Sequence, residues 1–446
     1  MATFPVKWFS GEMQTAPALS GRYETGWTSS APYLNMVPGE ITTALKAFLI
    51  DGFGETAATD ITYDSGTDRV TVTFATAHEF KKYSVIEVSG ADQAQYNGEF
   101  RVTAVTPTTL QYQPDSAPAA TPATTGTAFS VKLPPVDGWE LIDDDNATNQ
   151  RIVLGRTAAD ATPYKILVRN DQNYGYVDFG SSVASQAASY AKIEVIDNFV
   201  DYDTYDTVLT HYIPSWSNGY GSTSTNQTNV GYFGNREPYY FYADAYCWYW
   251  HIPYTYYGQL TGPYFCGDIE SVRPGDRGHF MCNGVYAEGP NMDTTSWSGA
   301  GRLFTGGSTQ YESANRAGAQ VATNFGNVPG SVRASTVVPF SWQKYPSLLL
   351  RYPNPANSGL YISKERTLVC TNEFGSNLYQ SNATLRGFMP GFVSTPQYGG
   401  ALHEQVIEGV PGFGTTPIHC TRLYGYIHTE YFMSMIRLDQ WRDLPQ

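Results

Sequence analysis

Charge is what this sequence has least of. Only 15% of its 446 residues are Asp, Glu, Lys or Arg, and the 27 basic residues are outnumbered by 41 acidic ones, for a net charge of −14. Holding nucleic acid by its phosphates needs clustered Lys and Arg. No stretch supplies such a cluster, so no nucleic-acid partner is expected and the acidity serves solubility. No apolar run approaches the roughly 20 residues of a membrane-crossing helix, and no membrane partner is expected. The start, Met1-Ala-Thr-Phe-Pro-Val-Lys-Trp8, lacks the basic and apolar regions of a signal peptide. A soluble product of cytoplasmic synthesis is the expectation. Cysteine is scarce as well: Cys247, Cys266, Cys282, Cys370 and Cys420. Their wide spacings match no zinc motif and their odd number cannot pair completely within one chain, so reduced, buried thiols are expected.

The usual chemical signatures are also missing. There is no G-x-S-x-G nucleophile elbow, no H-E-x-x-H and no G-x-x-x-x-G-K-[ST] phosphate loop. His419 and Cys420 are adjacent, and neighbours on a strand face opposite ways, which misplaces them for a dyad. The remaining histidines read as ordinary packing. Asp143-Asp-Asp145 and the set Asp197, Asp201, Asp203 and Asp206 could offer oxygen ligands to calcium. They lack the glycine and terminal glutamate of an EF-hand loop, and solvated carboxylates are the plainer reading. No cofactor and no catalytic residue is assigned, and the chain is expected not to be an enzyme.

Aromatic residues are abundant instead: 34 Tyr, 22 Phe and 9 Trp make up 15% of the chain. Tyr buries a large ring while its hydroxyl can stay hydrated, which suits half-buried strands and contact surfaces. One amphipathic helix is predicted, where Ile41, Ala44, Leu45, Phe48 and Leu49 recur at helical spacing between Pro38 and Gly52. Residues 1–55 are therefore an arm and a short helix. Residues 56–132 form a small β module with predicted strands at 69–74, 84–89, 99–105, 109–113 and 128–133, suggesting a small barrel or sandwich. Asp115 to Gly126, poor in large apolar residues, is a loop.

Residues 133–195 complete an N-terminal β domain. Tyr164 to Arg169 and Tyr174 to Phe179 read as a hairpin, and Val183 to Lys192 as a short helix. Residues 196–446 form a larger, Tyr-rich, β-sandwich-like domain with strands expected at 239–250, 271–272, 348–351, 367–371 and 423–438. Long polar loops such as 216–235 and 299–308 are where binding surfaces commonly sit on such scaffolds. The fold class is thus mainly β and multidomain, with the small β module inserted in an N-terminal domain.

Several phrases go beyond composition. Val6-Lys-Trp-Phe-Ser-Gly-Glu-Met-Gln-Thr-Ala-Pro-Ala-Leu-Ser-Gly21, followed by Leu45-Lys-Ala-Phe-Leu-Ile-Asp-Gly-Phe-Gly54, resembles the opening of a family of tailed-bacteriophage and prophage virion proteins. In that family an M-x-x-A-P-x-L-S-G arm leads into a helix ending in D/N-G-F-G. His78 to Gly90, Tyr96 to Val105 and Leu110 to Tyr112 are similar to a small β module of phage structural proteins. Gly267 to Asp276, Leu385 to Gly391 and Ile436 to Arg442 fall where the family has similar phrases. The match is dense in the first 55 residues and the β module and scattered beyond; the Tyr-heavy stretch 239–257 departs from it. The resemblance implies a structural place in the particle, at neck, tail or baseplate, with other virion proteins as partners and a homo-oligomeric ring as the assembly.

Contact residues follow from that expectation. Trp8, Phe9, Met13, Pro17 and Leu19 carry apolar side chains without a period of their own, so the arm should lie on a surface, either its own domain or a neighbouring subunit. Tyr239, Tyr240, Tyr254, Tyr256 and Tyr257 are the second group of expected contact anchors. A rival class is a receptor-binding or carbohydrate-degrading phage tail protein. Tyr and Trp faces pack on sugars, which makes a host-surface glycan a further candidate partner, and a paired-carboxylate cleft would mark hydrolysis.

Overall fold

A strand opens the described chain where the sequence suggested an unpatterned arm. The computed structural model describes residues 6–14, 31–32, 34, 39–170, 189–216, 236–253, 260–271, 280–282, 311–313, 318–322, 350–351, 358–360, 368–372, 383–393, 397–398, 400–424 and 431–442. The architecture is mainly β and multidomain, built from a closed barrel and several sheets.

β1 (Lys7–Gln14) precedes α1 (Glu40–Lys46), which runs on as a π-helical turn, Ala47–Asp51. Ile41, Ala44, Leu45, Phe48 and Leu49 are all buried on one face, as their spacing predicts. Gly52, at φ +71°, ends the helix; its backbone approaches the Leu133 carbonyl so closely that a Cβ would lie 2.7 Å from it.

The barrel follows: β2 (Phe53–Asp64), β3 (Arg69–Phe74), β4 (Val85–Ser89), β5 (Gly98–Val105), β6 (Thr109–Tyr112) and β7 (Phe129–Leu133). Its strands close in the order β2-β3-β6-β5-β4-β7. Val70, Val72 and Phe74 on β3 alternate inward, as do Phe100 and Val102 on β5 and Leu110 and Tyr112 on β6. Phe100 and Tyr112 stack across the interior with centroids 4.1 Å apart. The five predicted strands are present. The sixth, β2, went unpredicted because only Ala58 and Ile61 of its twelve residues are buried, leaving no visible alternation. The 115–126 loop touches the barrel through Ala123, whose N–H donates to the Ile61 carbonyl.

A five-stranded meander comes next: β8 (Trp139–Asp145), β9 (Arg151–Arg156), β10 (Lys165–Arg169), β11 (Ser189–Asp201) and β12 (Thr204–Trp216). One expectation changes here. β10 pairs with β9 and β11, while the other half of the expected hairpin, residues 174–179, lies outside the described residues. Ser189–Lys192, expected in a helix, belong to β11: Ala191, Ile193 and Val195 are buried at alternate positions, a strand period. The expected domain boundary at 195/196 falls inside this strand.

The remaining strands are β13 (Arg236–Ala243), β14 (Cys247–Pro253), β15 (Leu260–Asp268), β16 (Glu270–Ser271), β17 (Phe280–Cys282), β18 (Tyr311–Ser313), β19 (Gly318–Ala322), β20 (Leu350–Arg351), β21 (Leu368–Asn372), β22 (Ala383–Phe388), β23 (Phe392–Val393), β24 (Gln397–Tyr398), β25 (Gln405–Ile407), β26 (Ile418–Tyr424) and β27 (Tyr431–Arg437). A ten-stranded sheet runs β1-β13-β14-β15-β17-β18-β19-β21-β22-β16, and a four-stranded sheet runs β23-β27-β26-β25. The expected single strand 239–250 is a hairpin. Asp244 turns it, its Oδ1 accepting from the backbone N–H groups of Tyr246 and Cys247. The expected strand 423–438 likewise divides between β26 and β27.

Strand alternation decides where the core sits. Tyr239, Phe241 and Ala243 of β13, with Trp248 and Trp250 of β14, face α1, the barrel and the meander in one continuous cluster. Tyr240, Tyr242 and Tyr249 face the other way, joining Met389, Phe392, Ile436, Leu438 and Trp441 around the four-stranded sheet. The central sheet is thus covered on both faces along β13 and β14.

Candidate functional site

The expected contact anchors lie inside this layering. Trp8, Phe9, Tyr239 and Tyr240 are all buried. Phe9 packs among Phe48, Phe53 and Phe241, with ring centroids at 5.3, 5.1 and 6.3 Å. Tyr239 donates its hydroxyl hydrogen to the Pro32 carbonyl at 2.6 Å, and Tyr240 donates to Glu404 Oε1 at 2.8 Å. These four are interior residues of the folded chain: for Trp8 and Phe9 this is the own-domain packing the sequence left open, and Tyr239 and Tyr240 are enclosed. The reason is geometric: β1 is paired to β13 and has cover on both faces, so even adjacent aromatics are both enclosed. Met13 lies in β1 opposite Glu237. Pro17, Leu19, Tyr254, Tyr256 and Tyr257 lie outside the described residues.

Among the described residues, one cluster of chemically active side chains is drawn from positions scattered in the sequence. β13 and β14 pack on β26 and β27, and the layer between them holds His251, His419, Tyr242, Thr421 and Ser434, all buried. Tyr242 Oη lies 2.5 Å from His419 Nδ1, with Thr421 Oγ1 at 3.3 Å from the same nitrogen. Burial pushes the Tyr242 phenol well above its usual range and drops His419 to about 3. Tyr242 therefore keeps its proton and shares a hydrogen bond with a neutral imidazole, its direction set by the tautomer. Trp8 covers the same ring at 5.1 Å and Tyr240 at 4.8 Å. His251 Nε2 is 3.1 Å from Ser434 Oγ, and burial holds this imidazole well below its usual value. At the rim, His403 Nδ1 accepts from the Arg422 backbone N–H at 3.2 Å. Its imidazole is lowered mainly by burial, against the pull of Glu404.

A serine beside a histidine invites comparison with a nucleophile and its base. The base would need an orienting partner on its second nitrogen, and His251 Nδ1 has none among the described residues. It would also need access, and both residues are fully enclosed. The arrangement joins two sheets. Nothing in linear spacing announces it, because its residues come from four strands. His419 and Cys420 do face opposite ways: His419 into this layer, Cys420 into the cluster of Ile418, Met433 and Met435.

A second buried polar junction lies where the C-terminal segment docks. Arg156 Nη1 and Asp268 Oδ1 pair at 2.7 Å with both side chains essentially without solvent exposure. Thr162 donates to the same carboxylate from its backbone N–H at 2.9 Å and its hydroxyl at 2.5 Å. Arg442 donates to Asp244 Oδ2 at 3.1 Å and to the Asp268 carbonyl at 2.6 Å. The described part of the first phrase, 267–271, meets 385–391 and 436–442 here, though the three are far apart in the chain. Gly391 lies against Trp441, the Arg437 N–H donates to the Gly391 carbonyl at 3.0 Å, and Phe392 is paired with Ile436.

The acidic runs are bound up locally. Asp144 accepts from Lys46 at 2.6 Å and Asp145 from Arg151 at 2.7 Å, and each carboxyl is held below its usual range by its hydrogen bonds, from Lys46 for Asp144 and from Asn149 and Arg151 for Asp145. Asp206 accepts from Asn198 and Asp201 from the Asp203 N–H. Among the described residues no three His, Cys, Asp or Glu side chains gather as metal ligands, and no helix is long and apolar enough to cross a membrane. Cys247, Cys266, Cys282 and Cys420 are free and buried. No family model, curated protein or solved structure matches this chain.

Proposed function

We propose that this chain is a structural component of a tailed-bacteriophage particle, in the neck, tail or baseplate region, acting through protein–protein contacts rather than catalysis. The observation that carries the reading is the meeting of the resembling phrases in space. Short phrases taken singly are weak signals. Here the arm and helix phrases share one core, Phe9 on Phe48 and Phe53. The three later phrases share another, around Gly391, Trp441, Asp268 and Arg442. Residues that must fit one another are under a common constraint, so their joint occurrence weighs more than their number.

The chemistry agrees with this reading. The buried Ser434–His251 and Tyr242–His419 pairs tie two stacked sheets together, and a subunit that must hold its shape in a ring needs such cross-ties. The contacts themselves belong to other surfaces than Trp8, Phe9, Tyr239 and Tyr240. A ring of copies would let individually weak contacts add through multivalency. The test is to purify phage particles from a producing strain and look for the chain by mass spectrometry and electron cryomicroscopy. Recovery of the chain at fixed, symmetric copy number in the particle is expected. Its absence from particles, or release of sugar from host surface polysaccharide by the purified protein, would overturn the proposal.

A further inference from the structure

Cys266 and Cys282 face each other across two neighbouring strands in the middle of the ten-stranded sheet. β15 and β17 run antiparallel, and these two residues are direct register partners. Facing residues of an antiparallel pair have Cα atoms about 4.5–5.5 Å apart, inside the roughly 4.4–6.8 Å that a disulfide spans. Both side chains point to the same face, into the cluster that also holds Trp248 and Phe280. The two thiols interact directly, and burial together with the Cys282 thiol pushes Cys266 up. The remaining described thiols have other neighbours: Cys247 receives Arg442 Nη2 at 3.7 Å, and Cys420 lies in the four-stranded sheet. Cys370 stands opposite Gln320 on β19 and Leu385 on β22.

We propose that Cys266 and Cys282 are a modification site, a cross-strand dithiol that closes to a disulfide with a small-molecule disulfide as oxidant. One cysteine, deprotonated, attacks the small disulfide; a mixed disulfide forms and one small thiol leaves with a proton. The second cysteine then attacks the protein sulfur of that mixed disulfide, the Cys266–Cys282 bond forms, and the second small thiol leaves with the other proton. Two protein thiols are oxidised, and one small disulfide is reduced to two thiols. Both cysteines are enclosed, so the exchange proceeds when the three-residue β17 opens locally. Closure staples β17 to β15, fastening the segment that leads on to β18 and β19. The site needs no particular biological setting beyond an oxidising one, so it stands apart from the assembly role.

The experiment uses the full chain, purified under reductant and then held with oxidised glutathione. Alkylation in denaturant is expected to count a fall from five thiols to three, two being consumed. Peptide mapping is expected to place the link between residues 266 and 282, and the thermal midpoint to rise by ~3 °C through loop closure. Cys282→Ala should keep its remaining four thiols free of any internal link. Should that variant fold poorly, phenylarsine oxide on the unmodified chain reads the same pair, because trivalent arsenic is captured by two thiols within reach of each other. Five titratable thiols after prolonged oxidant, a link that joins other cysteines, or no arsenical capture would overturn the proposal.

Discussion

Gly391 exists to make room for Trp441. A Cβ added at Gly391 would lie 1.9 Å from Trp441 Cδ1, and the glycine holds φ at +63°. The indole donates its N–H to the Arg437 carbonyl at 2.7 Å, and it meets the Tyr249 ring in a T-shaped contact with centroids 5.1 Å apart. Tyr249 in turn donates to the Pro390 carbonyl at 2.8 Å. Two penalties therefore fall on Gly391→Ala at once, a left-handed backbone and a steric overlap with a buried ring. The expected cost is about 3 kcal/mol or more, read as a lowered urea midpoint. Trp441→Ala alone should cost about 3–5 kcal/mol by leaving a cavity. Combined, the two changes should cost less than their sum, since removing the ring removes the overlap. Strict additivity would show that the contact is not the reason for the glycine.

The Arg156–Asp268 pair is the most thoroughly enclosed ion pair described. Burying two charges is expensive, and what sustains them is further hydrogen bonding at the outer nitrogens: Arg156 Nη2 also donates to the Thr162 carbonyl at 2.8 Å and the Tyr164 carbonyl at 3.1 Å. Arg156→Met strands the carboxylate and should cost about 3–5 kcal/mol. Adding Asp268→Asn to that variant removes the stranded charge and should restore part of the loss. Chemical denaturation of the single and double variants measures both numbers. A double variant no more stable than Arg156→Met would mean that the charge is not what the fold must satisfy.

How much of this was readable in advance divides along physical lines. The helix and five barrel strands were legible because each has one buried face: Val70, Val72 and Phe74, or Ile41, Ala44, Leu45 and Phe48, print their period directly. β13 and β14 are buried on both faces, so Tyr239 to Ala243 shows no alternation, and its aromatics read as surplus surface rather than double-sided core. The Asp244 turn hides within that run because its signal is one carboxylate. The histidine layer was illegible for a different reason. His251, His419, Thr421 and Ser434 become neighbours only once two sheets stack, and stacking leaves no mark in linear spacing.

That layer makes stability depend on acidity. His251, His403 and His419 are all depressed in the folded chain, each mainly by burial, His419 to about 3. An unfolded imidazole titrates near 6.5. Above that value the groups are neutral in both states and their stability contribution is complete. As acidity rises below 6.5 the unfolded chain takes up protons that the folded chain refuses, and stability falls toward the folded values. The slope from a deeply depressed imidazole approaches about 1.4 kcal/mol per pH unit only below 6.5, so His251 and His419 together lose about 2 kcal/mol between pH 6.5 and 5.5. Between pH 6.5 and 5.5 the carboxylates of the unfolded chain hardly titrate, which isolates the effect. Urea midpoints across that interval should drop steeply, and less so in His419→Gln. A flat profile would contradict the burial of these rings.

Phe9 decides between two uses of the arm. An arm that merely awaits a neighbouring subunit would leave the isolated chain indifferent to the loss of its aromatic ring. In the structure Phe9 is 2% exposed and closes a ring of aromatics with Phe48, Phe53 and Phe241. β1 carries it there by pairing with β13 over its whole length, Lys7 opposite Ala243 through Gln14 opposite Arg236. Lys7 fastens the start of that strand, donating to Glu99 of the barrel at 2.8 Å and to the Pro135 carbonyl at 2.6 Å. Phe9→Ala should therefore destabilise the isolated, unassembled chain by about 3–5 kcal/mol. Hydrogen exchange should show β1, β13 and the Ala47–Asp51 turn losing protection together, since the three share this ring. An isolated variant with an unchanged unfolding midpoint would return the arm to an intermolecular role.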